Sequence, residues 1–325
     1  MFDKLKVFTG NSNPQLAEEI CQYLHLPVSE AAVRRFSDGE IFVEVRENVR
    51  GADVFVVQST SPPVNDHLME LLIMVDAFRR ASARRITAVI PYYGYARQDR
   101  KARGREPISA KLVANLITTA GADRVLTLDL HTDQIQGFFD IPVDHLTARG
   151  IIAEHFRRLG FTGESTIVVA PDVGGVNQAR LLADHLDASL GIVAKRRPKP
   201  GEAQILEVIG DFRGRRAIVY DDMIDTGGTV IQAAEALLER GAEEVHCAVT
   251  HAVLSENALE RLANSPFASI VVTDTIPLPP DQPVPEKLTV LTVAPLLADA
   301  IKRIHYHQSV SACLLNSHYR QPRLL

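Results

Sequence analysis

Short apolar segments alternate with helical patterns along most of the chain. The segments at 54–57, 86–90, 125–128, 167–170 and 245–249 have the length and the branched side chains of buried strands. Parallel strands need a long crossover, which is usually a helix, so this alternation is typical of βαβ units. The sequence therefore predicts an α/β fold in which mainly parallel sheets are flanked by helices.

The chain has 325 residues, of which 46% are hydrophobic. This length exceeds the usual size of one domain, and the hydrophobic content is sufficient for two cores of roughly 150 residues each. We place the boundary near residues 147–150. The predicted N-terminal domain then covers residues 1–147, and the predicted C-terminal domain covers residues 148–325.

Two parts of the sequence are similar to each other. Gly121-Ala122 and Gly241-Ala242 each lead into a strand, and the strands near 54–57 and 217–220 are each followed by a helical pattern. Repeats on this scale predict two similar domains that arose by duplication. Any two α/β domains share helix–Gly-Ala–strand junctions, so chance similarity is the alternative.

The stretch 219–229 carries the strongest functional signal. An apolar run predicts a buried strand that ends at two adjacent carboxylates, Asp221 and Asp222. A loop with Gly227 and Gly228 follows and leads into a helical pattern. Glycines let the backbone approach an anion, and the N–H groups at a helix start favour a phosphate. The stretch predicts a phosphosugar site, with the acids as acceptors for sugar hydroxyls; the alternative is an acidic loop with a glycine turn.

Acids also follow two other predicted strands. Asp129 and His131 end the strand near 125–128, and Asp172 follows the strand at 167–170 and precedes paired glycines. Carboxylate oxygens suit Mg²⁺, and a histidine can join them. The glycine turn after Asp172 is a second candidate anion site. Ordinary strand ends with solvated acids would give the same patterns.

Basic residues cluster at 97–105 and 195–199. A solvated face is the usual reason for such runs, and a clamp for polyphosphate is the more specific alternative. The net charge of −5 argues against general nucleic-acid binding. The three cysteines are far apart and predict free thiols, and no apolar run is long enough to predict a membrane span. We therefore expect a soluble, cytoplasmic protein.

Taken together, these segments resemble the ribose-phosphate diphosphokinase family, which makes 5-phosphoribosyl 1-diphosphate (PRPP), in its phosphate-activated class. The stretch at 219–229 is similar to the PRPP loop of the wider type I phosphoribosyltransferase superfamily. The resemblance runs from about residue 6 to residue 313. The segments that carry it are 35–40, 90–100, 129–131, 134–140, 171–175, 195–198 and 219–229.

The resemblance implies a role for each matched residue. The residues that match the family's ATP site are Phe36, Asp38, Glu40, Arg97 and Gln98. In the family the first three come from a neighbouring subunit, which implies a homo-oligomer, specifically a hexamer. The residues that match the Mg²⁺ site are His131 and Asp172, with Asp129 nearby.

The remaining matches concern catalysis and regulation. Lys195 and Arg197 match the mobile catalytic loop. The ribose 5-phosphate site is matched by Arg197, Asp221, Asp222, Asp225, Thr226, Gly227, Gly228 and Thr229. The regulatory site for inorganic phosphate and ADP is matched by Arg50, Ser309, Val310 and Ser311.

The resemblance implies transfer of the β,γ-diphosphoryl group of Mg·ATP to the anomeric hydroxyl of ribose 5-phosphate, which gives PRPP and AMP. No residue stands out as a general base. One alternative is a non-catalytic regulatory subunit of the same family, and such proteins typically lose residues that are present here. The other is a phosphoribosyltransferase that consumes PRPP, which would not need the segments around Asp38 and Arg97.

Overall fold

The computed structural model describes residues 4–196 and 205–315, and of residues 195–196, 205–206 and 314–315 it describes the backbone alone. Two compact units make up this part of the chain. The first unit contains residues 4–147, 275–277 and 292–315, and the second contains 148–196, 205–274 and 278–291. The units therefore differ from the predicted domains in the C-terminal segments, and the domain division itself stays a prediction.

The first 147 residues alternate strands with helices. In chain order the elements are β1 (Leu5–Thr9), α1 (Pro14–Leu24), β2 (Ala31–Arg35), β3 (Ile41–Val45), β4 (Asp53–Val57), α2 (Val64–Arg80), β5 (Arg85–Ile90), α3 (Ser109–Ala120), β6 (Arg124–Leu128), a 3-10 helix (Asp133–Phe138) and β7 (Val143–Leu146). Helix α1 begins as the sequence predicts, because the Asn13 side chain accepts a hydrogen bond from the Leu16 amide and Pro14 occupies the first turn.

The rest of the chain continues the alternation. Its elements are α4 (Arg149–Arg158), a 3-10 helix (Gly163–Ser165), β8 (Thr166–Ala170), α5 (Val176–Leu186), β9 (Ser189–Arg196), β10 (Ile205–Ile209), β11 (Arg216–Ile224), α6 (Gly228–Glu239), β12 (Glu244–Ala252), α7 (Ala258–Ala263), β13 (Ser269–Thr273), β14 (Leu288–Leu291), α8 (Ala294–His305) and α9 (Ser311–Leu315). Among the described helices, none is long and apolar enough to cross a membrane.

Each unit is built on one mainly parallel sheet, which confirms the predicted α/β class. The first sheet has the order β1-β4-β5-β6-β7, and β2 pairs with β3 as a separate antiparallel ribbon. The second sheet has the order β10-β9-β8-β11-β12-β13-β14, in which β10 alone runs antiparallel to its neighbour. Strands β4 and β8 are buried along their whole length, as expected for strands covered by helices on both faces.

The two sheets share one topology. In both units the chain makes a strand, a helix and an antiparallel strand pair, and then returns to the sheet beside the first strand. The order β1-β4-β5-β6-β7 thus corresponds to β8-β11-β12-β13-β14, and the pair β2–β3 corresponds to β9–β10. This correspondence supports the predicted duplication, since β4 with α2 matches β11 with α6.

One part of the predicted repeat was wrong. Gly121 precedes β6 and Gly241 precedes β12, and these strands are not equivalent in the shared order. Both glycines follow a helix and have positive φ, at +120° and +90°. A glycine in this conformation commonly ends a helix before the next strand, so the similarity reflects a local requirement of many α/β junctions.

The carboxyl ends of the parallel strands hold the predicted site residues. Asp129 directly follows β6, and Asp172 follows β8 by two positions. Strand β11 was predicted to end at the two adjacent carboxylates, Asp221 and Asp222, but it continues to Ile224 because Met223 and Ile224 are buried and pair with β12. Both acids therefore lie inside a strand, and the backbone of Asp221 is paired with Val249 of β12.

Candidate functional site

Strand β11 and helix α6 are joined by a short loop that places two acids and a helix start at one edge of the second sheet. Asp221 and Asp222 lie in β11 and are partly buried. Gly227 has φ +78°, and α6 begins at the next residue, Gly228. A left-handed φ costs other residues about 1–2 kcal/mol, which explains the glycine. The first amides of α6 lack partners within the helix and are suited to an anion.

Three carboxylates approach one another beside this loop. The Asp222 amide donates to Asp221 Oδ1 at 2.9 Å. Burial raises the pKa of Asp221 well above its usual range, and the neighbouring Asp222 and Asp172 carboxylates raise it further. The site therefore favours a ligand that brings hydroxyl donors or positive charge to these oxygens.

The turn after β8 brings Asp172 to Asp221. The Gly175 amide donates to Asp172 Oδ1 at 3.0 Å and stands at the start of α5. A Cβ added at Gly175 would lie 3.9 Å from Asp172 Oδ1 and 3.9 Å from Asp221 Oδ1. Gly175, which has no side chain, therefore lies close to both carboxylates. The two sequence motifs thus form one site.

The predicted metal residues Asp129 and His131 lie in the first unit, whereas Asp172 lies in the second. Asp129 is buried, has φ +34°, and donates its amide to the Leu146 carbonyl at 3.0 Å. The next amide, of Leu130, donates to His145 Nε2 at 2.9 Å, which fixes the chain before the exposed His131. A positive φ outside glycine is uncommon and marks Asp129 as a constrained position.

Asp99 is a buried acid that sequence reasoning did not select. Its Oδ2 accepts from Thr132 Oγ1 at 2.9 Å and from Gln134 Nε2 at 2.9 Å. It therefore ties the segment of Arg97 and Gln98, both exposed, to the loop that carries His131. A signal was present in the sequence, because Asp99 is the one acid within the basic cluster 97–105.

The turn between β2 and β3 presents three of the predicted ATP residues to solvent. Phe36, Asp38 and Glu40 are all exposed, and 52% of the surface of Phe36 is accessible to solvent. The turn is rigid, because Phe36 and Glu40 are joined by a backbone hydrogen bond of 2.8 Å and Gly39 takes φ +96°. An exposed aromatic beside two acids is suited to contact with another molecule.

The predicted regulatory residues lie in the first unit. Arg50 is exposed, and its amide donates to Asn48 Oδ1 at 3.0 Å. Ser309 and Ser311 are also exposed; the Ser309 carbonyl accepts from Arg303, which pairs with Asp299 on α8. The common regulatory role of these two segments stays a prediction.

The predicted catalytic residues fall at the edge of the described chain. Lys195 is the penultimate residue of β9, and its backbone pairs with Leu206 of β10. Arg197 lies outside the described residues. Strand β9, which carries Lys195, pairs with β8, the strand that leads to Asp172.

Within residues 4–196 and 205–315, no group of three or more His, Cys, Asp or Glu side chains is arranged to hold a metal ion. Mg²⁺ is usually bound by one or two carboxylates together with substrate phosphates and water. The exposed Asp172 beside Asp221 fits that incomplete type of site, and a cage made by protein alone is not formed by the described residues.

Two protein-family models match the chain. Residues 5–121 match the N-terminal domain of ribose phosphate pyrophosphokinase, and residues 191–315 match the phosphoribosyl synthetase-associated domain. Together they cover parts of both units.

Similar proteins of known name extend the match over almost the whole chain. Ribose-phosphate pyrophosphokinase of Caldanaerobacter subterraneus is 58% identical over 95% of this chain and 97% of its own length. The protein of that name from Brucella melitensis is 58% identical over 95% and 99%. The crystal structure of phosphoribosylpyrophosphate synthetase from Mycobacterium smegmatis is 47% identical, with a TM-score of 0.88 over 94% of this chain and 100% of its own.

The raised pKa of Asp221 predicts how its replacement changes stability with pH. The folded protein keeps the proton of Asp221 to a higher pH than the unfolded chain does. The free energy of unfolding therefore falls as the pH rises above the pKa of this group in the unfolded chain, about 4. Asp221→Asn keeps the acceptor for the Asp222 amide and removes this loss. The variant should exceed the parent in free energy of unfolding at pH 8, by an amount that shrinks toward pH 4.

The measurement is urea unfolding from pH 4.5 to 8 in the presence of a chelator, without substrates. The control is Asp184→Asn on α5, an exposed acid paired with Arg180, which should show little change across this range. A stability difference for Asp221→Asn that does not vary with pH would contradict the prediction.

Proposed function

The chain belongs to the ribose-phosphate pyrophosphokinase family, and from this membership we infer that it is an enzyme of nucleotide biosynthesis that makes PRPP from ATP and ribose 5-phosphate. The anomeric hydroxyl of ribose 5-phosphate attacks the β-phosphorus of ATP. A bond forms from that oxygen to the β-phosphorus, the bond to the α-phosphate oxygen breaks, AMP leaves, and the hydroxyl proton is released. The products are AMP and PRPP.

The arrangement at the end of β11 is the observation that carries this proposal. Asp221 and Asp222 are proposed to accept hydrogen bonds from the ribose hydroxyls. The loop Asp225–Thr229 is proposed to hold the 5-phosphate, and its position at the amino end of α6 supports this. The residues assigned to the 5-phosphate are Asp225, Thr226, Gly227, Gly228 and Thr229, with Arg197 from the catalytic loop.

Mg²⁺ is the proposed cofactor. Asp172 of the second unit, and Asp129 and His131 of the first, match the family's metal residues, and their oxygens and imidazole suit this ion. When bound with ATP, the ion neutralises phosphate charge. Asp172 also contributes to the high pKa of Asp221, so a cation held by Asp172 would favour the ionised form of Asp221 as well.

Lys195 and Arg197 are proposed to close over the polyphosphate and stabilise the charge that develops during transfer. Lys195→Ala should therefore lower turnover by about 100-fold or more, with a smaller effect on substrate binding. The measurement is formation of AMP and PRPP from ribose 5-phosphate and Mg·ATP, which should appear in equal amounts in the parent. Lys199→Ala, in the same basic run, is the control and should stay near the parent.

No product from the parent protein with nucleotide binding intact would contradict the catalytic proposal and favour a non-catalytic regulatory subunit. The name and near-complete coverage of the relatives support the catalytic form.

The exposed turn at Phe36–Glu40 is proposed to complete the ATP site of a neighbouring subunit, in a homo-oligomer that we expect to be a hexamer. Arg97 and Gln98 would contact ATP from the other side of the shared site. The test uses two variants: one carries both Phe36→Ala and Asp38→Ala, and the other carries Lys195→Ala. We expect each variant to be inactive alone and part of the activity to return when their subunits are mixed and reassembled. Activity that stays absent in mixed oligomers, with exchange verified by mass, would contradict a shared site.

Arg50 and the segment Ser309–Ser311 are proposed to bind inorganic phosphate as activator and ADP as inhibitor. Activity of the parent should then rise when phosphate is added at fixed substrate concentrations, and Arg50→Ala should reduce that rise. Arg46→Ala, a nearby exposed arginine on the same stretch, serves as control. Full activity in phosphate-free buffer that does not change on addition would contradict the assignment to the phosphate-activated class.

A cytoplasmic location is also proposed. The three cysteines are buried and unpaired by disulfides, as expected in a reducing compartment. We propose no nucleic-acid partner and no membrane partner for this protein.

A further inference from the structure

The loop that follows β11 is held from behind by a segment that the sequence did not connect with it. Residues 254–262, here called the bracing segment, lie between β12 and the end of α7. The Leu254 amide donates to the Ile224 carbonyl at 3.1 Å, and the Ser255 amide donates to the Asp225 carbonyl at 3.1 Å. Arg261 Nη1 donates to the Thr226 carbonyl at 3.3 Å. Three successive carbonyls of the loop are thus bound by one segment.

The planarity of the peptide bond gives these contacts a consequence for the other side of the loop. In a trans peptide the carbonyl of one residue and the amide of the next point in opposite directions. Holding the carbonyls of Ile224, Asp225 and Thr226 against the bracing segment therefore aims the amides of Asp225, Thr226 and Gly227 away from it. These are the amides next to the amino end of α6, where the 5-phosphate is proposed to bind.

The bracing segment is itself rigid. Leu254 and Glu256 have positive φ, at +52° and +56°, and the Ala258 amide donates to the Ser255 carbonyl at 3.2 Å. Leu262 is fully buried, and its Cδ2 lies 3.7 Å from the position of a Cβ added at Gly227. The segment therefore meets the loop at four consecutive residues and keeps a strained backbone to do so.

Among these three hydrogen bonds, the one from Arg261 is made by a side chain. It is exposed, and among the described residues its side chain donates to the Thr226 carbonyl rather than to a carboxylate. Beside it an open groove of about 470 Å³ separates α6 from α7, with Gly228, Gln232 and Asn257 among its lining. Changing an exposed side chain at the rim of this groove leaves the apolar core intact, so the contact can be removed without unfolding the unit.

We propose that Arg261 is a positioning residue for the 5-phosphate of ribose 5-phosphate, which it serves by fixing the Thr226 peptide and thereby the Gly227 amide. This inference rests on the proposed function. Its guanidinium also adds positive charge behind the phosphate loop. Arg261 does not touch the reacting atoms, so it should affect capture of the sugar phosphate more than the transfer step.

The test compares Arg261→Met and Arg261→Lys with the parent full-length enzyme. Arg261→Met should raise the KM for ribose 5-phosphate by about two- to tenfold, the range of one hydrogen bond, and leave the KM for ATP within about twofold. Arg261→Lys keeps a charged donor and should recover part of the affinity. The matched control is Arg240→Met, an exposed arginine at the other end of α6, which should equal the parent.

Each outcome decides between specific statements. A parental KM for ribose 5-phosphate in Arg261→Met, with the parent making AMP and PRPP, would overturn the role of Arg261 and leave the proposed function intact. A parent that makes no product would overturn the proposed function first. Equal increases in the KM values of both substrates, or a lowered unfolding midpoint in Arg261→Met that Arg261→Lys shares, would mean a structural role only and would also overturn the proposal.

Discussion

The second unit depends on the pairing of β11 with both of its neighbours. Strand β8 accompanies β11 only as far as Val219, whereas β12 accompanies it to Ile224. Beyond Val219 the chain of β8 turns away through Asp172, and β11 continues with one side still held by the sheet. This unequal pairing lets the turn that carries Asp172 approach Asp221, while the backbone of Asp221 stays paired with Val249 of β12.

The same arrangement is electrostatically unfavourable without a ligand. Carboxylates that share a small, partly buried space disfavour each other's ionisation, and the raised pKa of Asp221 is the result. Hydroxyl donors or a cation placed among these oxygens would relieve that repulsion, so such groups would bind more strongly to a site that is destabilised when it holds neither. Side chains can in this way lower stability where they favour the binding of a ligand.

The sequence predicted features that depend on local chemistry. The α/β class, the start of α1 at Asn13 and the glycine at the beginning of α6 follow from periodicity, capping and backbone freedom. It failed at features that depend on distant partners: the extension of β11 to Ile224 requires β12, and the buried position of Asp99 requires Thr132 and Gln134. The contact of Arg261 with Thr226 joins residues far apart in the chain, and no local pattern indicates it.

The shared topology explains why only one of the two equivalent loops is a candidate phosphate site. The loop after β4 corresponds to the loop after β11, but Gln58, Ser59 and Thr60 of this loop form hydrogen bonds within the first unit. Ser59 Oγ donates to the Thr275 carbonyl at 2.6 Å, and Thr60 Oγ1 accepts from the Gly94 amide at 2.6 Å. A Cβ added at Gly94 would lie 2.3 Å from the Thr60 carbonyl oxygen, so the loop is packed against its neighbour. After β11 the bracing segment binds the carbonyls instead, which directs the amides toward the helix start. The duplicated fold therefore contains one loop that is packed against its neighbour and one loop that is suited to an anion. The difference depends on whether the neighbouring segment binds the amides or the carbonyls of the loop.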